Sequence, residues 1–377
     1  LLYLIFSYPM SQFHKIILLI TILFFSVNQS FALTLQLQHD PTIQWPTKNW
    51  SERELTINDE KGFREITDFL FSKESQSKNG RTNSLLIVQN GEIVFEQYND
   101  PVSVTTKQVS WSMAKSFIGA LTGIMIDKGL ISSVEENKLL PNWNDKRKFI
   151  SIDDLLNMKS GLNFLEEYDT SGRSDTLEML YGQGKLDQAS FAASFPMKTI
   201  NPGMEFNYST GETNILSKII KLKLEEAGLN YYDFIQENLA KKIGLNDTIF
   251  EFDKSNTFIG GSSVFSNARD YAKFGYLYLR DGYWEDEQVI SKQWIDASRK
   301  PVKHSYGMYS NKFWIVHPAF NHGLPKDTYY CAGFGGQYII IIPSKDLVIV
   351  RLGETYIEDD NVMKNLGDLA SYFPNAL

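Results

Sequence analysis

The feature that most constrains the fold is a pair of strand hairpins lying far apart in the chain, with helical patterns between them. In the first hairpin, the apolar runs 85–88 and 93–95 flank the tetrapeptide Gln89-Asn90-Gly91-Glu92. An Asn-Gly pair supplies the positive φ angles that a tight β-hairpin needs. We therefore predict a hairpin at this position.

The second hairpin pattern lies near the other end of the chain. Two apolar runs, 337–342 and 347–352, flank Pro343-Ser344-Lys345-Asp346, a turn-forming tetrad. Between the two hairpins, apolar residues recur at helical spacing over the segments 112–128, 152–158, 212–227 and 268–280. Strands at both ends and helices in the middle predict an α+β fold. The polar segment 72–83 is predicted to be a loop.

The first 32 residues have the pattern of an export signal preceded by an upstream extension. Residues 1–9 precede Met10, which is followed by Lys15, the apolar run 16–27 and Ser30-Phe31-Ala32. That order is typical of a signal peptide, and the apolar run is shorter than the ~20 residues that span a membrane. We expect cleavage after Ala32, a periplasmic or secreted protein, and no stable membrane anchor afterwards.

Composition excludes several classes of function. The chain has 377 residues, 43% of them hydrophobic and 22% charged, which is typical of a globular protein with a large core. Its net charge of −8 argues against a nucleic-acid partner. The single cysteine, Cys331, cannot form an intrachain disulfide, and the histidines lack zinc-binding spacing. We therefore expect neither a metal nor a cofactor.

A serine and a lysine lie one helical turn apart at Ser112-Met113-Ala114-Lys115. Residues at this spacing share a helix face, so their side chains can touch. Ser75 and Lys78 repeat the spacing, but within the predicted polar loop. Ser112 instead opens an apolar helix, in which burial would disfavour the ammonium form of Lys115 and make it a proton acceptor. The alternative is that Ser112 only caps the helix and Lys115 extends to solvent.

Two further segments carry candidate site residues. The segment 202–211 contains a turn and then Tyr208-Ser209-Thr210 just before a helix. The Tyr208 phenol could reach the nucleophile, although a core tyrosine beside a helix cap would give the same pattern. The segment 331–337, Cys-Ala-Gly-Phe-Gly-Gly-Gln, carries glycines that let backbone approach a ligand closely. A dinucleotide site would need a strand before the glycines and a helix after them, and here the order is reversed.

The three segments, in this order, resemble the signature of the serine β-lactamase and penicillin-binding-protein superfamily, in particular its class C β-lactamase-like branch. That signature is Ser-x-x-Lys, then Tyr-x-Asn, then Lys-Thr-Gly on a strand. Supporting resemblances lie at 155–162, 260–263, 268–270, 306–307 and 313–314. The resemblance implies a β-lactamase/transpeptidase-like α+β fold, in which an antiparallel sheet from both chain ends is flanked by helices and a mostly helical domain is inserted between them. The implied domains are a lead segment 33–83, a sheet domain from 84–130 and 262–377, and an inserted helical domain 131–261.

The resemblance also implies site roles. Ser112, Lys115 and Tyr208 would be catalytic, with the phenolate of Tyr208 favoured by a cationic Lys115 and acting as a base. The backbone N–H groups of Ser112 and Phe334 would form the oxyanion hole. Substrate would contact Tyr168 and the strand residues Cys331, Ala332 and Gly333.

Two departures from the signature bear on substrate. Thr210 stands where class C β-lactamases carry asparagine, and Cys331 stands where the family carries the lysine that helps to hold a β-lactam carboxylate. Arg351 could substitute for that lysine if its strand position faces the site. The sequence looks more like the 6-aminohexanoate-dimer hydrolases and related esterases, and we expect a small ester or amide substrate. The alternatives are a β-lactamase or D,D-peptidase acting on cell-wall-type substrates, and a non-catalytic binding or sensor protein of the same fold.

Overall fold

The computed structural model describes residues 38–168, 172–355 and 359–376. The predicted signal peptide lies outside these residues. Among the described residues, no helix is both long enough and apolar enough to cross a membrane.

The main sheet is built from both ends of the chain. Its strands are β1 (Ser51–Glu52), β2 (Arg81–Gln89), β3 (Glu92–Tyr98), β9 (Tyr309–Ser310), β10 (Phe313–Ile315), β11 (Tyr329–Gly333), β12 (Gln337–Ile342) and β13 (Leu347–Glu354). Their order across the sheet is β1-β3-β2-β13-β12-β11-β10-β9, and neighbouring strands are antiparallel except for the parallel pair β1 and β3. Smaller sheets contain β4 (Gln108–Val109), β5 (Ile249–Phe250), β6 (Val264–Ser266), β7 (Tyr283–Trp284) and β8 (Glu287–Gln288).

Helices cover both faces of the main sheet and fill the middle of the chain. Over the described residues they are α1 (Glu60–Leu70), α2 (Lys73–Asn79), α3 (Ala114–Asp127), α4 (Ile152–Leu156), α5 (Asp175–Tyr181), α6 (Gln188–Ala193), α7 (Thr210–Glu226), α8 (Tyr231–Ile235), α9 (Ala268–Leu279), α10 (Lys292–Ser298) and α11 (Asp359–Ser371). The expected α+β fold, with an antiparallel sheet from both chain ends, is confirmed.

The central strands are buried on both faces because each face has its own helical layer. On β13, Val348 and Val350 pack into a core shared with α3, α7 and α9. Leu347 and Ile349, on the opposite face, pack with α1 and α11. Apolar side chains on both faces explain the near-continuous hydrophobic runs in these strands.

Both predicted hairpins are confirmed. β2 pairs with β3 around Asn90 and Gly91, which have φ angles of 54° and 88°. β12 pairs with β13 across a short 3₁₀ turn at Pro343–Lys345. The four predicted helices are also present, as α3, α4, α7 and α9, with α3 preceded by a 3₁₀ turn at Trp111–Met113.

The loop predicted over residues 72–83 is wrong. Its first part forms α2, capped by the Ser72 side chain, and its last part belongs to β2. Ser75 is buried against the protein in this helix, whereas Lys78 is exposed and pairs with Glu74. Polar composition failed as a guide because the helix places its few buried positions against the sheet and leaves the others in solvent.

Candidate active site

Ser112 lies in the tight turn that joins β4 to α3. The preceding residue, Trp111, has a φ of 45°, a left-handed conformation that is unfavourable for a non-glycine residue and is often found at functional sites. Ser110 fixes the turn from the other side, because its backbone N–H donates to the Val264 carbonyl at 2.7 Å and its Oγ accepts from the Val264 N–H at 3.1 Å. Strand β6 therefore sets the position of Ser112.

Lys115 follows Ser112 by one turn and contacts it directly. Its Nζ donates to Ser112 Oγ at 2.7 Å, to Thr210 Oγ1 at 2.9 Å and to the Gly261 carbonyl at 2.8 Å. These three bonds use all the donors of an ammonium group. Only 1% of the residue is exposed, and this burial lowers the pKa of Lys115 to about 8. An amine with that pKa can accept a proton near neutral pH.

Tyr208 approaches Ser112 from the start of α7. It precedes Ser209, whose Oγ caps the helix by accepting from the Glu212 N–H at 3.2 Å. Tyr208 lines the same cavity as Ser112, and its ring lies 5.0 Å from Lys115 Nζ and stacks on Trp314.

The expectation that Lys115 favours the phenolate of Tyr208 is wrong. Burial raises the pKa of Tyr208 above its ordinary value, and the interaction with Ser112 offsets only part of that increase. The same burial lowers the pKa of Lys115, so the lysine supplies less positive charge than a solvated ammonium would. The site therefore holds a neutral phenol, which can donate a proton.

Strand β11 forms one wall of the site and places alternate residues on opposite faces. Tyr330 and Ala332 are partly exposed toward the cavity, whereas Cys331 is fully buried in the core. Burial raises the pKa of the Cys331 thiol to about 12. The prediction that Cys331 contacts substrate is thus contradicted, because strand alternation points its side chain away. A lysine introduced at that position would enter the core.

Gly333 brings the end of β11 against the turn at residues 110–113, which we call the nucleophile turn after the predicted role of Ser112. A Cβ atom there would lie 2.1 Å from the Ser110 carbonyl oxygen, so only glycine permits this approach. The next residue, Phe334, contacts the Trp111 ring edge-to-face at 5.9 Å. The backbone N–H groups of Ser112 and Phe334 thus belong to adjoining segments. Their role as oxyanion donors stays a prediction.

A cavity of about 340 Å³ opens over Ser112. Its lining is mainly aromatic, and consists of Ser112, Tyr168, Tyr208, Trp314, His322, Tyr330, Ala332, Gly333, Phe334, Tyr338, Asp360 and Met363. Tyr168, a predicted substrate contact, lies at this cavity and stacks on Phe334 with ring centroids 5.2 Å apart. No lysine or arginine is among the lining residues in the described part of the chain.

Arg351 does not provide a cation to this cavity. It is fully buried, and its guanidinium donates to the Gly336 carbonyl at 2.7 Å, the Arg81 carbonyl at 3.0 Å and Thr355 Oγ1 at 2.9 Å. The side chain therefore links the glycine turn after β11 to the first residue of β2. The possibility that Arg351 anchors a substrate carboxylate is contradicted.

Several site residues were not predicted. Gly261 accepts from Lys115, Trp314 stacks on Tyr208, and Glu166 accepts from Thr210. Tyr338 was within reach of prediction, because it pairs with Ala332 across the β11–β12 hairpin. Glu166 could not be predicted, because it lies in a segment without helical or strand periodicity.

Over residues 38–168, 172–355 and 359–376, no group of three His, Cys, Asp or Glu side chains is placed to hold a metal ion.

Comparisons with known proteins agree with this geometry. A family model described as Beta-lactamase matches residues 70–367. The 6-aminohexanoate-dimer hydrolase of Paenarthrobacter ureafaciens is 22% identical over 291 residues, which cover 72% of each chain. The solved structure of a class C beta-lactamase has a TM-score of 0.62 at 17% identity, covering 86% of this chain and 100% of that chain. A family VIII carboxylesterase has a TM-score of 0.63 at 15% identity, covering 84% and 99%.

The resemblance inferred from the three sequence segments is thereby confirmed. The family model spans the nucleophile turn, the start of α7 and strand β11, and the solved structures share the fold. The chain therefore belongs to the beta-lactamase family and is a serine hydrolase of that family.

Proposed function

We propose that the protein is an exported hydrolase of small esters or amides that acts through a covalent acyl-Ser112 intermediate. The observation that carries the proposal is the buried contact of 2.7 Å between Lys115 Nζ and Ser112 Oγ, beneath an open cavity lined mainly by aromatic residues. Export is supported by the signal-peptide pattern in residues 10–32.

Acylation begins with Lys115 as the base. With a pKa of about 8, roughly a tenth of this lysine is neutral at pH 7, far more than for a solvated lysine. Neutral Lys115 takes the Ser112 hydroxyl proton while Oγ attacks the substrate carbonyl carbon. The backbone N–H groups of Ser112 and Phe334 stabilise the negative charge on the carbonyl oxygen.

Collapse of the tetrahedral intermediate breaks the bond to the leaving group. Tyr208, held as a neutral phenol by burial, donates a proton to the departing oxygen or nitrogen and is reprotonated from Lys115. Water then attacks the acyl-Ser112 ester and restores the serine hydroxyl. The sum is one substrate and one water converted to a carboxylic acid and an alcohol or amine.

The cavity favours uncharged or amine-bearing substrates over carboxylates. A charge-assisted hydrogen bond to a carboxylate contributes roughly 1.5 to 3 kcal/mol, and no lysine or arginine of the described residues lines the cavity to supply one. This argues against the second candidate, a β-lactamase or D,D-peptidase. That candidate is retained because the solved structures of similar fold include a class C beta-lactamase.

The test is a turnover screen of residues 33–377 with short-chain p-nitrophenyl esters, linear amides, D-Ala-D-Ala peptides and a chromogenic cephalosporin. We expect kcat/KM for an ester or a linear amide to be at least ~10-fold above that for the cephalosporin, a tenfold ratio corresponding to about 1.4 kcal/mol. Ser112→Ala measures the background. Efficient cephalosporin turnover with esters untouched would instead support the β-lactamase candidate, and labelling without turnover would support a binding or sensor protein.

A further inference from the structure

We propose that Glu166 is a positioning residue that acts on Lys115 through the hydroxyl of Thr210. The inference rests on the proposed role of Lys115 as the base. It assigns a function to a carboxylate outside the three signature segments, and it explains why threonine can stand where class C β-lactamases carry asparagine.

Glu166 holds Thr210 by two hydrogen bonds. The Thr210 backbone N–H donates to Glu166 Oε2 at 2.8 Å, and Thr210 Oγ1 donates to Glu166 Oε1 at 2.5 Å. The first bond satisfies a helix N-terminal N–H group of α7, which otherwise has no partner within the helix. The second fixes the rotamer of the Thr210 side chain. Glu166 therefore places the Thr210 hydroxyl rather than merely lying near it.

The direction of the hydrogen bonds follows from the chemistry of each group. Lys115 Nζ can only donate when charged, so Thr210 Oγ1 accepts from it at 2.9 Å. A hydroxyl has one proton, and that of Thr210 is committed to Glu166. The chain of bonds thus runs from Lys115 through Thr210 to Glu166. An asparagine could accept from Lys115 with its amide oxygen alone, whereas threonine performs this role best with a strong acceptor behind it.

Glu166 is itself held in place. Thr176 Oγ1, on α5, donates to its Oε2 at 2.7 Å, and the Tyr168 hydroxyl donates to its Oε1 at 2.8 Å. No lysine or arginine of the described residues forms a salt bridge with Glu166. The carboxylate is therefore fixed by neutral donors, and its charge acts on Lys115.

The charges around Lys115 oppose one another. Burial lowers the pKa of Lys115, whereas the Glu166 carboxylate raises it. The other titratable groups that face it are Tyr208, whose pKa is raised by burial, and Lys312, whose pKa is lowered to about 7 chiefly by burial and further by Lys115. Glu212 in turn raises the pKa of Lys312. Removing the charge of Glu166 should therefore lower the pKa of Lys115 further.

The first experiment measures the pH profiles of kcat and of kcat/KM for Glu166→Gln with the best ester or amide from the screen. In the unmodified protein we expect an ascending limb near pH 8, where Lys115 loses its proton. In Glu166→Gln the limb should move to lower pH, and the plateau kcat should fall by about 10- to 100-fold as Lys115 loses its fixed position. Glu167→Gln, an equal charge change at an exposed neighbour, is the matched control and should leave both unchanged. An unmoved limb in Glu166→Gln would overturn the proposal.

The second experiment tests whether Glu166 acts through Thr210. In a Thr210→Asn background, Glu166→Gln should cost less than about 3-fold in kcat, because the amide oxygen no longer depends on Glu166. Thr210→Ser, which keeps the hydroxyl, should retain the full dependence on Glu166. An equal loss of kcat from Glu166→Gln in the Thr210→Asn and unmodified backgrounds would contradict the proposal that Glu166 acts through Thr210.

Failure of this inference and failure of the proposed function are distinguishable. Labelling of Ser112 by a fluorophosphonate tests the nucleophile alone. If Ser112 is labelled and Glu166→Gln behaves like Glu167→Gln, only the role of Glu166 is rejected. If Glu166→Gln unfolds, as judged by circular dichroism, Glu166→Asp takes its place, because it keeps the negative charge but is one methylene too short to hold Thr210 by both hydrogen bonds. A fall in kcat of about 10-fold or more, with the ascending limb kept near pH 8, would support the positioning role, and a kcat equal to that of the unmodified protein would reject it.

Discussion

At the scale of single residues, burial divides the proton work between Lys115 and Tyr208. The same low-dielectric surroundings lower the pKa of the lysine and raise that of the phenol, because burial disfavours whichever form is charged. The sequence analysis placed both residues near Ser112, but it predicted that Tyr208 acts as a base, whereas burial makes Tyr208 a proton donor. The burial of Tyr208 depends on Trp314 and that of Lys115 on Gly261, and both contacts join residues far apart in the chain.

Tyr208→Phe removes the proton donor while keeping the ring that stacks on Trp314. We expect kcat to fall by about 10²-fold or more, since general acid-base steps contribute 10² to 10⁴. The loss should be smaller for a p-nitrophenyl ester, whose leaving group needs no proton, than for a linear amide. Steady-state kinetics on both substrates measure this, and an equal or negligible loss on the two would return Tyr208 to a purely structural role.

At the scale of elements, the site depends on the contact between the end of β11 and the nucleophile turn. The sequence indicated that the glycines after Cys331 allow close approach of backbone, and Gly333 does so against the Ser110 carbonyl. The sequence could not show which face of the sheet the Cys331 side chain occupies. Tyr329-Tyr330-Cys331-Ala332 shows no alternation of polar and apolar residues, and the register is set only by pairing with β12.

Gly333→Ala should separate β11 from the nucleophile turn. Its Cβ would lie 2.1 Å from the Ser110 oxygen, so the strand must move and the Phe334 N–H with it. We expect kcat to fall by about 10²-fold, the effect of losing one oxyanion donor, with the protein still folded. Gly172→Ala is the matched control, because no atom of the described residues beyond its chain neighbours lies within 4 Å of the added methyl group. Comparable kcat in the two variants would show that the end of β11 does not serve the oxyanion.

At the scale of the whole molecule, the sheet joins the two ends of the chain, and both hairpins that build it were predictable from local patterns. The pairing of the two hairpins in one sheet was expected only from the family resemblance, because local patterns do not reveal long-range contacts such as those of Arg351. This residue on β13 donates to backbone carbonyls of Arg81, near the start of β2, and Gly336, before β12. Glu166 was not predicted to belong to the site, because its partners on α5 and α7 are brought together only by the fold.

Arg351→Met should destabilise the folded chain by about 3 kcal/mol or more, because several buried oxygen atoms lose their donor. Urea unfolding followed by circular dichroism gives the free energy of unfolding. Arg64→Met, at an exposed arginine paired with Glu60, is the control and should change stability by less than about 0.5 kcal/mol. Equal losses in the two variants would contradict the structural role assigned to Arg351.

The most direct test of the account is to identify the residue that becomes acylated. Protein comprising residues 33–377 is mixed with a slowly hydrolysed p-nitrophenyl ester, quenched in acid, and analysed by intact mass and peptide mapping. We predict one acyl group per chain, on Ser112, absent from Ser112→Ala and absent from the buried Ser75 in both. An acyl group on another residue, or turnover by Ser112→Ala equal to that of the unmodified protein, would contradict the assignment of Ser112 as the nucleophile.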